Sequence, residues 1–83
     1  MSNFTIGDKV KIKSQFWTAS YARPTGIITK KFSLQGALDG NPSTEREFEV
    51  AIRDSDKCSN GYVVYWEHNG CYNPWSEIEL ETA

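Results

Sequence analysis

The 83-residue sequence predicts an all-β chain, a single antiparallel barrel of five short strands with a long loop between the second and third. Two stretches carry the prediction. Tyr62 to Glu81 reads as a strand, a tight turn, a second strand interrupted by proline, and a closing strand. Gly7 to Lys13 alternates apolar and charged residues with the period of a half-buried strand. Against these, no amphipathic helix, coiled coil, internal repeat or low-complexity tract stands out.

Taken in order, Val10 and Ile12 face a core while Lys9, Lys11 and Lys13 face solvent. Ser14 to Thr25 has neither helical nor strand period, and is a loop that carries Phe16, Trp17 and Tyr21 and ends at Pro24 and Gly26. Gly26 to Phe32 is the second strand. Ser33 to Glu47 holds two glycines, a proline and several small polar residues, and is expected to be a loop. Phe48 to Arg53 is expected to be the third strand, with Phe48, Val50 and Ile52 inward and Glu49, Ala51 and Arg53 outward. Asp54 to Gly61 is a polar loop. In the next strand Tyr62, Val64 and Trp66 share one face, opposite Val63, Tyr65 and Glu67. Asn69-Gly70 suits a type I′ turn, which pairs His68 with Cys71, Trp66 with Asn73 and Val64 with Trp75. Pro74 cannot donate a ladder hydrogen bond, so its strand lies at an edge or breaks there. Ile78 and Leu80 then point inward, and Glu79 and Glu81 outward.

A chain this short makes one domain, residues 1–83, and buries only roughly 60–65% of its unfolded surface. Eleven aromatics (three Trp, four Tyr and four Phe) supply much of the core, and those left over are the first place to look for a binding surface. The net charge of −2 argues against a nucleic-acid module that relies on a basic excess. With no charged-then-apolar leader and no long apolar run, the expected setting is a reducing cytoplasm without a membrane partner. Asn3-Phe4-Thr5 matches a glycosylation acceptor that such a setting leaves unused. Cys58 and Cys71 bracket one extended strand, which puts them roughly 20 Å apart, too far for a disulfide. Two separated Cys and one His make no zinc motif, and no cofactor is called for.

The sequence GDKVKIK, the Gly26-Ile27-Ile28 entry to strand two, and the Y-x-V-x-W…NG…PW-x-E-x-E-L ending together resemble the SH3-like small-barrel superfamily. Modules of the KOW and Tudor type look like this, as do many small phage and bacterial barrels. The opening and the NG…E-L ending are also similar to the small barrel protein of photosystem I. The opening with Tyr21-Ala22-Arg23 and Gly26 resembles the barrel domain in the β subunit of nitrile hydratase. GDKVKIKS further resembles the start of the plasmid-type dihydrofolate reductase. That enzyme's Val-Gln-Ile-Tyr run has no counterpart in Cys71-Tyr72-Asn73-Pro74-Trp75, so its activity is not carried over. The shared scaffold hosts many functions and does not choose among them.

In SH3-like barrels ligands bind between the first long loop and the turn before the last strand. Here those positions hold Phe16, Trp17 and Tyr21 on one side and Tyr72 and Trp75 on the other, the expected partner-binding residues. Flat rings offer contact area at low entropy cost, although most such rings in a small barrel simply pack its core. The hairpin register puts Tyr65 and Tyr72 together on the face away from Trp66. Lys9, Lys11 and Lys13, with Lys30 and Lys31, form a row that could contact phosphates. Pairing of the first and last strands would set Glu79 and Glu81 beside the first three, as ordinary surface stabilisation. His68 and Cys71 flank the turn without a cleft or a third orienting group for catalysis, and Asp54 and Asp56 are too few for a metal. The expected function is therefore a non-catalytic adaptor that recognises a protein partner. A nucleic-acid module of the KOW or Tudor kind comes second. A small subunit of an oligomeric enzyme, with a site formed only between chains, comes third.

Overall fold

The computed structural model describes residues 4–40 and 44–83. Five antiparallel strands form one sheet: β1 (Lys9–Ile12), β2 (Gly26–Ser33), β3 (Asn60–Trp66), β4 (Cys71–Ser76) and β5 (Leu80–Thr82). Their spatial order is β4-β3-β2-β1-β5, so β4 and β5 are the two edges and the sheet is open rather than closed into a barrel. Two helices, α1 (Leu34–Leu38) and α2 (Glu45–Asp54), stand between β2 and β3. Single 3-10 turns at Ser14–Phe16 and Glu77–Glu79 follow β1 and precede β5.

The alternation expected for the strands places the main core. Val10, Ile12, Ile28, Val64, Trp66 and Leu80 are buried together, joined by Phe4 and Tyr62. Gly26 lets this core close. A Cβ there would lie 2.4 Å from Val64 Cγ1 and 2.9 Å from the carbonyl oxygen of Tyr65, so no side chain fits between β2 and β3. The outer strands pair as expected, with Lys11 opposite Glu81 and Ile12 opposite Leu80.

Tyr62 is fully buried, its ring edge-on to Phe4 with centroids 5.4 Å apart. Burial raises the pKa of its hydroxyl above the ordinary tyrosine value, with smaller pushes in the same direction from Glu77 and Cys58. The backbone N–H of Phe4, which donates to the hydroxyl oxygen at 3.2 Å, acts the other way. A folded-state pKa above the unfolded one gives a contribution to stability that is complete below about pH 10 and is lost as pH rises further. Wild type is therefore expected to lose melting temperature above about pH 10 more steeply than Tyr62→Phe. Parallel declines of the two proteins would remove Tyr62 as the cause.

A β-bulge at Thr29 changes the phase of β2. Ile28 pairs with Val64, but Lys30 then pairs with Val63 and Phe32 with Gly61. The extra residue turns Phe32 to the face away from Tyr62 and Trp66. Its ring lies against bare Gly61, where a Cβ would come within 2.4 Å of it. Phe32 there meets a second core of Leu34, Ala37, Val50 and Ala51, which the two helices bring to that face.

That second core overturns the expected third strand. Residues 48–53 lie in α2, whose buried positions Glu47, Val50, Ala51 and Asp54 recur at helical spacing. Thr44 caps the helix by accepting the N–H of Glu47 at 3.2 Å. Phe48 and Ile52, expected inside, are 38% and 60% exposed, while Ala51, expected outside, is fully buried. The expected loop over 33–47 is also partly helical: Ser33 caps α1, and Leu34 and Ala37 are buried in it. Asn41, Pro42 and Ser43 of that segment, and Met1, Ser2 and Asn3 around the expected glycosylation pattern, lie outside the described residues.

Two further corrections concern the C-terminal half. Asn69-Gly70 is not a two-residue type I′ turn, because Gly70 has positive φ and Asn69 does not. The connection is four residues long, with the N–H of Gly70 donating to the carbonyl of Trp66 at 2.8 Å. Trp66 consequently pairs with Cys71, Val64 with Asn73 and Tyr62 with Trp75, two residues from the expected register. A shift of two keeps every side chain on its face, so Tyr65 and Tyr72 still lie together, their centroids 4.9 Å apart. Ile78 and Glu79 depart from strand alternation, because the 3-10 turn buries Glu79 and leaves Ile78 half-buried.

Candidate functional site

The Ser14–Thr25 connection folds back over the end of the core. Trp17 packs on that core and donates its indole N–H to the carbonyl of Tyr21 at 2.8 Å. The two rings meet edge-to-face with centroids 5.3 Å apart. From the other side, Trp75 of β4 meets Trp66 at 6.2 Å, again edge-to-face. Between them lies a cleft of about 160 Å³ lined by Ile12, Trp17, Tyr21, Pro24, Trp66, His68, Asn69, Asn73 and Trp75.

Of the five expected partner-binding residues, Trp17, Tyr21 and Trp75 thus share one cleft. Phe16 and Tyr72 are not part of its wall. Phe16 is 39% exposed on the 3-10 turn after β1, and Tyr72 is 61% exposed against Tyr65 on the opposite face of the sheet. Strand parity separates Tyr72 from Trp75: residues three apart on one strand point to opposite sides. Trp66, expected only as core, also forms part of the cleft wall.

A larger groove of about 580 Å³ adjoins the cleft through Asn73 and Trp75. Its other walls are Pro74 and, from α2, Glu45, Arg46, Glu49, Val50 and Arg53. Nothing in the sequence singles out this groove, since its helical wall falls where a strand is expected. Trp75 Nε1 is buried and has no hydrogen-bond partner among the described residues. An indole N–H can only donate, and a buried donor without an acceptor costs about 1–3 kcal/mol.

Charges elsewhere are largely engaged. Lys11 reaches Glu81 at 3.8 Å, and Arg23 reaches the same carboxylate at 3.4 Å. Lys30 pairs with Glu47 at 3.2 Å. Glu79 does not join the lysines as expected. It accepts from the N–H and hydroxyl of Ser76, both at 3.1 Å, and pairs with Arg53. Of the two carboxylates expected beside Lys9, Lys11 and Lys13, only Glu81 takes that place, opposite Lys11.

His68 lines the cleft, whereas Cys71, exposed, stands outside it beside its own turn, 3.7 Å from the carbonyl of Asn69. Cys58 lies at the opposite end of β3, near the carbonyls of Asp54 and Asn60. Asp54 is buried and engaged by Arg53 and Lys57. Among the described residues no three His, Cys, Asp or Glu side chains gather as metal ligands, and no helix is long and apolar enough to cross a membrane. Comparison with protein-family models, with curated proteins and with solved structures finds no match to this chain.

Proposed function

We propose that this chain is a non-catalytic binding module of SH3-like architecture that recognises a protein partner through the cleft of Trp17, Tyr21, Trp66 and Trp75. The observation that carries the proposal is the convergence of these four rings, from the first loop, β3 and β4, on one cleft. Rigid aromatic walls give a ligand contact area at small entropic cost and are the usual anchors of peptide recognition. The strand order, with β5 and β1 adjacent and the long first connection lying across the end of the core, supports the SH3-like architecture. The acidic total and the pairing of Lys11 with Glu81 favour a protein over a nucleic acid.

Selection from a random-peptide display library tests this. The protein is expected to enrich peptides that Trp17→Ala binds about 30-fold more weakly, the size of an aromatic hot spot. Because Trp17 also packs on the core, the variant loses some melting temperature, and circular dichroism at the binding temperature checks that it is folded. Their affinity should change little with salt, because buried apolar area is screened far less than charge. A library that yields no peptide dependent on Trp17 overturns the proposal. Tight duplex-DNA binding that falls steeply with salt and is lost when Lys9, Lys11 and Lys13 become Glu would favour the nucleic-acid alternative.

A further inference from the structure

The chain contains the dipeptide Asn-Gly twice, at Asn60-Gly61 and Asn69-Gly70, and the fold treats the two in opposite ways. We infer that Asn69 is a site of spontaneous covalent modification. It closes on the nitrogen of Gly70 with loss of ammonia and then opens in water to aspartate or isoaspartate, while Asn60 is protected.

The chemistry belongs to the dipeptide. Hydroxide from solvent removes the Gly70 amide proton, and the nitrogen forms a bond to Cγ of Asn69. The side-chain nitrogen is displaced and leaves as ammonia, taking a proton from water. The product is a five-membered succinimide. Water then adds to one of its two carbonyl carbons, breaks the bond from that carbon to nitrogen and returns a proton to the nitrogen. Cleavage at Cγ gives aspartate in an ordinary chain. Cleavage at the main-chain carbonyl gives isoaspartate, with the chain rerouted through the side chain. Either way an amide becomes a carboxylate, with a gain of about 1 Da and one negative charge. Glycine favours the first step, because no Cβ shields its nitrogen and its backbone turns freely.

Three features of the hairpin tip permit the reaction. Asn69 and Gly70 are both exposed, so water and hydroxide reach them. Glu67 to Gly70 lie outside the strand ladder, so the tip can open while the sheet stays paired. Asn69 Oδ1 accepts the N–H of Cys71 at 3.0 Å, which folds the side-chain carbonyl back along the main chain of the turn and polarises Cγ. One feature restrains it. The N–H groups of Gly70 and Asn69 donate to the carbonyl of Trp66 at 2.8 and 3.4 Å. These bonds open before the nitrogen attacks, so the fold slows the reaction without preventing it.

Asn60-Gly61 has none of that freedom. Both residues belong to β3, an interior strand, and Gly61 pairs with Phe32 on one side and Ser76 on the other. Gly61 is buried under the ring of Phe32. The side-chain amide of Asn60 donates to Glu77 at 3.2 Å. Ring closure there requires Gly61 to leave the middle of the sheet and the amide to turn away from Glu77. The product at Asn69 also falls in a different place. Asn69 lines the aromatic cleft, which has no acidic residue in its wall, so conversion gives the cleft its first carboxylate.

The 83-residue protein, kept reduced at mildly alkaline pH and body temperature, is digested at intervals over several weeks and mapped by mass spectrometry. A second sample is held unfolded in guanidinium chloride. In the native sample the Asn69 peptide is expected to gain about 1 Da at least about tenfold faster than the Asn60 peptide. In denaturant the two rates should agree within about twofold, and the Asn69 rate should exceed its native value by about tenfold, the cost of releasing the two turn hydrogen bonds. Chromatography should resolve the Asn69 product into aspartate and isoaspartate forms, and Asn69→Gln should abolish both. Native conversion at Asn60 as fast as at Asn69, or none at Asn69 while both convert in denaturant, overturns the inference. The mapping uses no ligand, so its result is independent of whether the cleft binds a peptide.

Discussion

Trp66→Ala is expected to remove about 3–5 kcal/mol of folding stability, the cost of deleting a fully packed aromatic side chain and leaving a cavity. Trp66 is 3% exposed and packs with Phe4, Val10, Ile12, Ile28, Tyr62, Val64 and Leu80. It also stands opposite Gly26 and edge-on to Trp75, so its loss loosens β2 and β4 together. A domain of this size has a total stability near the low end of about 5–15 kcal/mol, so the variant should be substantially unfolded at room temperature. Trp66→Phe keeps most of the ring and should lose clearly less. Urea denaturation followed by circular dichroism measures both. A Trp66→Ala midpoint equal to wild type would mean that β3 does not present Trp66 to the core.

Ala51→Asp is expected to be similarly damaging, at ~3 kcal/mol or more. Ala51 is fully buried in the cluster of Leu34, Ala37 and Val50, and a carboxylate there has no partner in that core. The negative charge would also sit near the C-terminal end of α2, where the helix dipole disfavours it. Phe48→Ser, by contrast, should cost less than about 1 kcal/mol, because Phe48 is on the solvent side of the helix. The pair of substitutions separates helix from strand. A strand with Phe48 inward and Ala51 outward would give the opposite order of effects, and that order in a thermal melt would refute α2.

Why the same six residues fit a strand is visible in their spacing. Over Phe48 to Arg53 the apolar positions Phe48, Val50 and Ile52 satisfy a period of two, and a stretch so short cannot discriminate this from a helix by alternation alone. The sequence does contain the deciding local signal, Thr44 followed three residues later by Glu47, the spacing of a capping box. In the structure Thr44 caps the helix as that spacing suggests. The hairpin turn differs for another reason. Asn69-Gly70 is compatible with a two-residue turn, but Glu67 and His68 leave the ladder as well, and of the four connecting residues only Gly70 takes up positive φ.

By itself the sequence determined the strands whose alternation is long and regular, β1 and β3, together with the faces on which Val10, Ile12, Val64, Trp66, Tyr65 and Tyr72 lie. Those are local properties: backbone pleating assigns a side to each residue wherever the chain runs, and a register error of two does not alter the side. What only the tertiary structure decided is which of these faces meet. The bulge at Thr29 turns Phe32 toward a helical core, the loop carrying Trp17 and Tyr21 is set against Trp66 and Trp75, and α2 is set along the edge of β4. The same assembly leaves Phe16 and Tyr72 outside the cleft and draws Glu79 inward to Arg53 and Ser76. Such juxtapositions join residues dozens of positions apart, and they depend on loop closure and on the packing of whole elements, which no local period or spacing encodes.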